Sequence, residues 1–305
     1  MSSISEVGSG RGRHRMRLWG GVLLLSALLY GLLCLGMYVR QDALVFYPQP
    51  AATVPPPAPG RLMESLEVRT QDGVALRGWL MTAEVGARTA DRAAKTPLMI
   101  YFGGNAEEVS YLVGEPRWPA EWAVLFFNYR GYGSSEGQPS EAALYRDALS
   151  IYDMAAARPD VDSGRIALMG RSLGTGVATF VAATRRVSKV VLVSPYDSLV
   201  NVADEHYPWL PVGALLAHRF DSVARAPSIR VPMIALIAPG DRTVSVARTR
   251  ALLSQWGGPS LIQEIVGARH DSFGRFELYW RSIREFLRSD LPRAARDGDI
   301  HAIYS

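Results

Sequence analysis

Three residues of the types that carry out nucleophilic acyl transfer lie far apart in the chain: Ser172, Asp241 and His270. Ser172 is the centre of the stretch GRSLG at residues 170–174, a Gly-Xaa-Ser-Xaa-Gly pattern. A serine activated by a histidine, which a carboxylate orients in turn, can attack an acyl carbon. The pattern alone fits a glycine-rich turn with a helix-capping serine equally well, so the surrounding elements must decide.

The elements around these residues place all three at one edge of a sheet. The apolar run 166–169 reads as a buried parallel strand, and apolar residues recur at helical spacing after Ser172. Ser172 is therefore predicted on a tight strand-to-helix turn, where the flanking glycines remove clashing Cβ atoms. Asp241 follows a predicted strand at Val231–Ala238, and His270 follows one at Ser260–Val266. Ligands bind at the carboxyl ends of parallel strands, which is where these side chains fall.

The order of the elements predicts the fold class. A hairpin of two strands comes first, and strand–helix units then repeat along the chain. This order favours an α/β fold with a mostly parallel central sheet and helices on both faces. Further strands are predicted at Leu62–Arg69, Ala75–Met81, Pro97–Phe102, Trp122–Phe127 and Lys189–Val193, and helices at Pro139–Ala157, Ser245–Gln255 and Ser272–Leu287.

The N-terminus carries a membrane signal. A basic arm at 1–17 holds four arginines and precedes about 22 uncharged residues at 18–39, which suffice to cross a ~30 Å hydrocarbon core. No Ala-Xaa-Ala-like site closes this run, so a retained anchor is favoured over a cleaved signal peptide. Arg40 alone follows the span, and the positive-inside rule places the N-terminus in the cytoplasm and the large domain outside it, in the periplasm if the source is bacterial.

The remaining organisation follows from composition. A Pro-rich linker is predicted at 40–60, a globular domain at 61–289 and a polar tail at 290–305. The apolar residues 44–47 either dock on the domain or lie at the bilayer surface. An insertion at 196–227 is where a small cap over the site would lie, although its apolar residues would equally pack on the sheet.

Composition also excludes some functions. The formal net charge is +4 and most of the excess lies in the basic arm, so a nucleic-acid surface is not expected. Cys34, the only cysteine, lies in the apolar span; a packing or lipid-facing role is favoured there over lipidation. His206 and His218 lack metal-ligand spacing and are expected to pack in the insertion, and no metal or other cofactor is predicted.

In combination, these motifs resemble a known family, the α/β-hydrolase-fold serine hydrolases. Within that family, the chain resembles more closely a single-pass, membrane-anchored group that includes protein depalmitoylases and lysophospholipid lipases. The resemblance runs from about Leu44 to Leu287. It is carried by GRSLG, by NYRGYGSSEG at 128–137, by the apolar run 43–48, by Gly240-Asp241, by RFDS at 219–222 and by GARH at 267–270.

The resemblance implies a mechanism. Ser172 is the expected nucleophile, His270 the base and Asp241 the residue that orients the imidazole. The backbone N–H groups of Leu173 and Asn105 are the expected oxyanion hole. The family usually has His-Gly-Asn where this chain has Gly103-Gly104-Asn105, so the chain departs from the family pattern in this loop.

The expected function is cleavage of an ester or thioester in an acylated or lipid-like substrate. A serine peptidase or amidase using the same triad, and a catalytically silent binding protein of this fold, are the alternatives. Asp197 also follows a strand and competes as the triad acid, although it reads equally as a helix cap. Asp271 is expected to cap the last helix, and Arg130 and Arg171 to brace loops by hydrogen bonding.

Overall fold

The computed structural model describes residues 10–84, 86 and 95–289, with side chains from residue 16 onward. Residues 1–9 of the expected arm and the expected tail at 290–305 lie outside the described residues. The described helices are α1 Gly10–Val39, α2 Gln41–Val45, α3 Glu141–Ala156, α4 Leu173–Thr184, α5 Leu199–His206, α6 Val212–Leu215, α7 Val246–Leu253 and α8 Glu277–Arg288. Short 3-10 turns occupy Val109–Gly114, Ala226–Ser228 and Phe273–Arg275.

The described strands form one eight-stranded sheet in the order β1-β2-β4-β3-β5-β6-β7-β8. Their bounds are β1 Met63–Arg69, β2 Ala75–Met81, β3 Thr96–Phe102, β4 Ala123–Phe127, β5 Val161–Arg171, β6 Lys189–Val193, β7 Met233–Ile237 and β8 Ser260–Glu264. The pairs β1–β2 and β2–β4 are antiparallel and the other neighbours are parallel. The predicted α/β fold with a mostly parallel sheet is confirmed.

Apolar layers cover both faces of this sheet. On β3, Leu98, Ile100 and Phe102 pack on one face, while Met99 and Tyr101 pack on the other. Alternate residues of a strand point to opposite faces, and a parallel strand needs both covered. The first layer also contains residues of α3 and α4, and the second contains residues of α8. The central strands are thereby fixed, and their carboxyl ends become a rigid edge.

The segment after His270 differs from the expectation. The predicted helix at Ser272–Leu287 is wrong in its first turns: the chain forms a 3-10 turn at Phe273–Arg275, and α8 begins only at Glu277. Asp271 therefore does not cap the last helix. The Ser272 hydroxyl instead accepts the Arg269 N–H at 2.8 Å, which closes the turn that carries His270.

The N-terminal segment joins the domain through α2 and the residue after it. Within α1, Met16–Val39 has a mean hydropathy of 2.3 over its most apolar stretch, none of which is buried, and is long and apolar enough to cross a membrane or to serve as a signal sequence. Phe46, only 2% exposed, packs its ring 5.0 Å from His218 and 6.3 Å from Phe220. The apolar run 44–47 thus docks on the domain through Phe46.

Candidate active site

Ser172 lies between the end of β5 and the start of α4, as the pattern predicts. Its backbone has φ 50° and ψ −119°, a conformation that non-glycine residues rarely adopt and that costs about 1–3 kcal/mol. Neighbouring bonds hold it there: the Ser172 N–H donates to the Val193 carbonyl at 2.9 Å, and the Thr175 N–H donates to the Ser172 carbonyl at 2.9 Å. The hydroxyl is therefore presented at the carboxyl edge of the sheet.

The two glycines of the pattern are required by close backbone contacts. A Cβ atom on Gly170 would lie 2.4 Å from the Gly174 carbonyl oxygen. A Cβ atom on Gly174 would lie 2.2 Å from the Phe102 carbonyl oxygen and 2.5 Å from that of Gly103. Glycine at these positions lets the start of α4 lie against the end of β3, which brings the loop after β3 beside the serine.

The structure brings Ser172, His270 and Asp241 into one chain of hydrogen bonds. His270 Nε2 lies 2.9 Å from Ser172 Oγ, and His270 Nδ1 lies 2.8 Å from Asp241 Oδ2. The carboxylate assigns the proton to Nδ1, which leaves the Nε2 lone pair facing the serine hydroxyl. The Asp241 side chain is 2% exposed and that of His270 is 21% exposed, so the imidazole borders solvent while the acid is shielded.

Asp241 is held ionised by a full set of donors. Its Oδ1 accepts the Thr243 and Val244 N–H groups at 2.8 and 3.0 Å, and its Oδ2 also accepts the Ser194 hydroxyl at 2.8 Å. Burial by itself would raise the pKa of Asp241, but the hydrogen bonds and charge of His270, together with those other donors, outweigh burial and lower the pKa below its ordinary value. A carboxylate in this state fixes the imidazole and can stabilise an imidazolium.

Asp197, the competing acid, does not contact His270. Its Oδ2 lies 3.0 Å from an Arg248 guanidinium nitrogen and accepts the Asn201 amide at 2.8 Å. Its Oδ1 accepts the Ser198 N–H at 2.8 Å. These contacts give Asp197 a structural role at the start of α5, and the position beside the imidazole belongs to Asp241.

The predicted oxyanion loop follows β3 and lies beside Ser172. Asn105, Ser172 and Leu173 line one cavity of about 270 Å³. Within the described residues, the backbone N–H groups of Asn105 and Leu173 donate to no protein acceptor. The Asn105 carbonyl accepts the Tyr132 hydroxyl at 2.6 Å and the Tyr47 N–H at 3.0 Å, which fixes the loop from behind.

Glu107 ties this loop to the strand that carries the serine. The buried carboxylate accepts the Gly104 N–H at 2.7 Å, the Tyr101 and Tyr111 hydroxyls at 2.8 Å each, and an Arg171 guanidinium N–H at 3.0 Å. Burial raises the pKa of Tyr101 and Tyr111, and the Glu107 charge raises both further, so both phenols stay protonated donors. The four donors leave the carboxylate fully satisfied.

Arg171 continues the connection to the histidine loop. Its second guanidinium nitrogen donates to the His270 carbonyl at 3.2 Å. Burial would lower the pKa of Arg171, but the Glu107 carboxylate outweighs it and the pKa is raised. Arg130 joins its own loop after β4 to α3, through Asp147 at 2.6 Å, and to the β1–β2 turn, through Asp72 at 2.9 Å. The predicted bracing role of both arginines is confirmed.

Gly103, at the position where the resemblance implies a histidine, lies against the same network. A Cβ atom there would lie 3.0 Å from a Val109 methyl group and 3.5 Å from the Glu107 side chain. A larger residue would have to displace these neighbours. Glu107 therefore occupies the space behind the loop in this protein.

Sequence reasoning missed Ser194 and Glu107. Ser194 directly follows β6, between the strands that precede Ser172 and Asp241, and its position at the carboxyl edge was a usable signal. Glu107 lies in an irregular loop and gave no periodic signal.

His206 Nε2 lies 2.9 Å from the Thr243 carbonyl oxygen. In the described residues, no group of three or more His, Cys, Asp or Glu side chains is placed to hold a metal ion.

Comparison with known proteins agrees with this architecture. The family model described as alpha/beta hydrolase fold matches residues 101–239. An uncharacterised protein of Mycobacterium tuberculosis, Rv2307c, is 32% identical over 263 residues, which cover 82% of this chain and 87% of that protein. The alpha/beta hydrolase domain-containing protein WAV2 of Arabidopsis thaliana is 24% identical over 310 residues, which cover 90% of this chain and 98% of that protein. Among solved structures, an acetyl xylan esterase from Paenibacillus sp. R4 superposes with a TM-score of 0.61 at 19% identity, covering 76% of this chain and 84% of the esterase.

Proposed function

The chain belongs to the α/β-hydrolase fold family, and we propose that it is a membrane-anchored serine hydrolase that cleaves an ester or thioester in an acylated or lipid-like substrate. The observation that carries the proposal is the chain of hydrogen bonds from Asp241 through His270 to Ser172. The three residues follow three different strands, and their side chains meet at the edge where this fold binds ligands.

The first half of the reaction forms an acyl-enzyme. Ser172 Oγ attacks the acyl carbon while His270 Nε2 takes the hydroxyl proton, and Asp241 stabilises the imidazolium that results. The Leu173 and Asn105 N–H groups stabilise the oxyanion of the tetrahedral intermediate, and the N-terminal end of α4 favours negative charge there. The carbon–oxygen or carbon–sulfur bond then breaks, and His270 returns the proton to the departing alcohol or thiol.

The second half releases the acid. A water molecule takes the place of the leaving group, and His270 removes its proton as the water attacks the acyl-enzyme. Collapse of the second tetrahedral intermediate frees the carboxylic acid and restores the Ser172 hydroxyl. Every proton moves through His270, so the neutral imidazole with its Nε2 lone pair toward Ser172 is the resting state.

Hydrolysis of para-nitrophenyl butyrate by the full-length protein in detergent micelles tests the activity. Ser172→Ala is expected to lose about 10³-fold or more of kcat/KM. Ser163→Ala, on the exposed amino-terminal part of the same strand, is the matched control and keeps the wild-type rate. A Ser172→Ala variant as active as the control would refute the proposal, and faster cleavage of the matching para-nitroanilide than of the ester would favour the amidase alternative.

The anchor and its orientation are part of the proposal. Support comes from the length and apolar character of Met16–Val39 and from the arginines that precede it. In bacterial cells, an alkaline phosphatase reporter fused to the C-terminus is expected to be active and to stay in the membrane fraction. An inactive reporter would refute the orientation, and a reporter released as soluble protein would show that α1 is cleaved.

A further inference from the structure

The cavity beside Ser172 is built by two parts of the chain that are far apart in sequence. One is the cap, defined here as residues 196–227, which contributes Val202, Leu210 and Val212. The other is the carboxyl-terminal end of α1 together with α2, which contributes Met37, Gln41 and Leu44. The end of α1, through Met37, and α2 thus form one wall of the cavity that Ser172 also lines.

Direct contacts fasten the cap to this N-terminal segment. The Tyr30 hydroxyl donates to the Trp209 carbonyl at 2.7 Å, and the Ala217 N–H donates to the Gln41 side-chain oxygen at 2.7 Å. Close by, His218 Nε2 lies 2.5 Å from an Asp42 carboxylate oxygen. The cavity is therefore a joint feature of the cap and the membrane helix.

The depth of these contacts places the cap at the membrane. Tyr30 precedes the end of α1 at Val39 by nine residues, which is ~14 Å along a helix. The 24 residues of Met16–Val39 measure ~36 Å, so they exceed the ~30 Å hydrocarbon core by only ~6 Å. If α1 spans the bilayer, the Tyr30–Trp209 contact lies inside the near leaflet.

The composition of the cap suits that depth. Residues 207–217, YPWLPVGALLA, carry no charged side chain. Tyr207 and Trp209 are 47% and 55% exposed, although both are large aromatic residues. Tyrosine and tryptophan concentrate at membrane interfaces because one end of each ring system is apolar and the other is polar. These residues form an exposed apolar surface on the same side as the anchor.

We propose that the apolar part of the cap, residues 207–217, is seated in the near leaflet of the membrane and that the end of α1 together with α2 is part of the acyl-binding site. The acyl chain of a membrane-resident, single-chain ester or thioester lies between the cap and Met37, Gln41 and Leu44, with its carbonyl at Ser172. The cavity has a volume of about 270 Å³ and is lined mostly by apolar side chains, which suits an acyl chain. This inference rests on the proposed function.

Chain-length selectivity of the full-length protein in mixed micelles tests the inference. Leu44→Trp and Met37→Trp fill the cavity and are expected to lower the ratio of para-nitrophenyl decanoate to acetate turnover by about tenfold or more. Leu44→Ala enlarges the cavity and is expected to shift the preferred ester toward longer chains. Leu35→Trp is the matched control, because Leu35 is 56% exposed on the other side of α1 and should leave the ratio unchanged.

Labelling of Ser172 by a small ethyl fluorophosphonate shows whether each variant retains a folded site. A tryptophan variant that fails to label is set aside in favour of Leu44→Ala, which cannot overfill the cavity. Unchanged selectivity in Leu44→Ala and in the labelled tryptophan variants would overturn the inference while the proposed function stands. A wild-type protein that hydrolyses neither ester would refute the proposed function and this inference with it.

Discussion

Replacing Glu107 by glutamine is expected to impair catalysis without removing any group of the Ser172–His270–Asp241 set. Glu107→Gln keeps the volume of the side chain but removes the charge that pairs with Arg171. It also weakens the acceptor for the Gly104 N–H, which precedes the Asn105 peptide group of the oxyanion loop. The variant therefore loosens the links between the oxyanion loop, the nucleophile strand and the His270 loop.

The expected losses of stability and of kcat in Glu107→Gln follow from the burial of the ion pair and from the cost of displacing an oxyanion donor. Breaking a buried ion pair by removing one partner typically costs about 3–5 kcal/mol. The Arg171 side chain is 21% exposed and that of Glu107 is 5% exposed, so water compensates Arg171 in part and about 3 kcal/mol of unfolding free energy is expected. Removing an oxyanion donor costs about 10²–10³ in kcat, so displacing one is expected to cost roughly 10- to 100-fold.

The split between kcat and KM separates positioning from a general loss of stability. An oxyanion donor acts mainly in the transition state, so Glu107→Gln should lower kcat and leave KM nearly unchanged. Glu108→Gln is the matched control, because Glu108 bonds Asn128 and Ser110 and not the oxyanion loop. Urea unfolding of both variants accompanies ester kinetics. A Glu107→Gln variant with the kcat of the control would refute the positioning role.

Two further variants test the elbow and the acid. Gly174→Ala would place a Cβ atom 2.2 Å from a backbone oxygen of β3, so urea unfolding should show that the variant loses about 3 kcal/mol or more of unfolding free energy. Gly213→Ala is the control, because the nearest neighbour of its Cβ atom would be 4.0 Å away and its stability should hardly change. Equal stabilities of the two variants would contradict the close contact at Gly174. The second variant concerns Asp241, whose pKa is lower in the folded protein than in the unfolded chain. Ionisation of Asp241 therefore stabilises the folded protein above the unfolded pKa of about 3.9. This stabilisation is lost as the pH falls through the lower pKa of the folded protein. Asp241→Asn should therefore be less stable than wild type at pH 7, and urea unfolding should show the gap narrowing below about pH 4; a gap independent of pH would contradict the lowered pKa.

Local patterns predicted the elements that lie wholly in the core. The bounds of β2 and β6 match the predicted ranges: β2 follows the turn at 71–73, and the apolar residues 190–193 of β6 are followed directly by Ser194-Pro195. Prediction was weaker where tertiary contacts decide. β5 begins at Val161, before the apolar run at 166–169, because Thr96 pairs with Val161 across the sheet. The strand order, in which β4 lies between β2 and β3, has no signature in any single segment.

In the candidate site too, the residues that follow from local sequence were predicted, and those whose role depends on tertiary contacts were not. The glycine spacing and the predicted strand ends were enough to bring Ser172, Asp241 and His270 to one edge of the sheet. Each of them follows the carboxyl end of a parallel strand, and a strand end can be recognised in the local sequence. Glu107 was missed because its role comes from donors on three separate elements, which meet only in the folded chain. The contribution of α1 to the cavity was likewise hidden, since a membrane-spanning pattern gives no information about what packs beside its end.

The central claim is that His270 activates Ser172 as a nucleophile. Full-length protein labelled with a fluorophosphonate probe, digested and mapped by mass spectrometry tests this most directly. The account predicts a single adduct on Ser172 in wild-type protein, a strongly slowed reaction in His270→Ala and none in Ser172→Ala. An adduct on another residue, an unlabelled wild-type protein or an unchanged labelling rate in His270→Ala would contradict it.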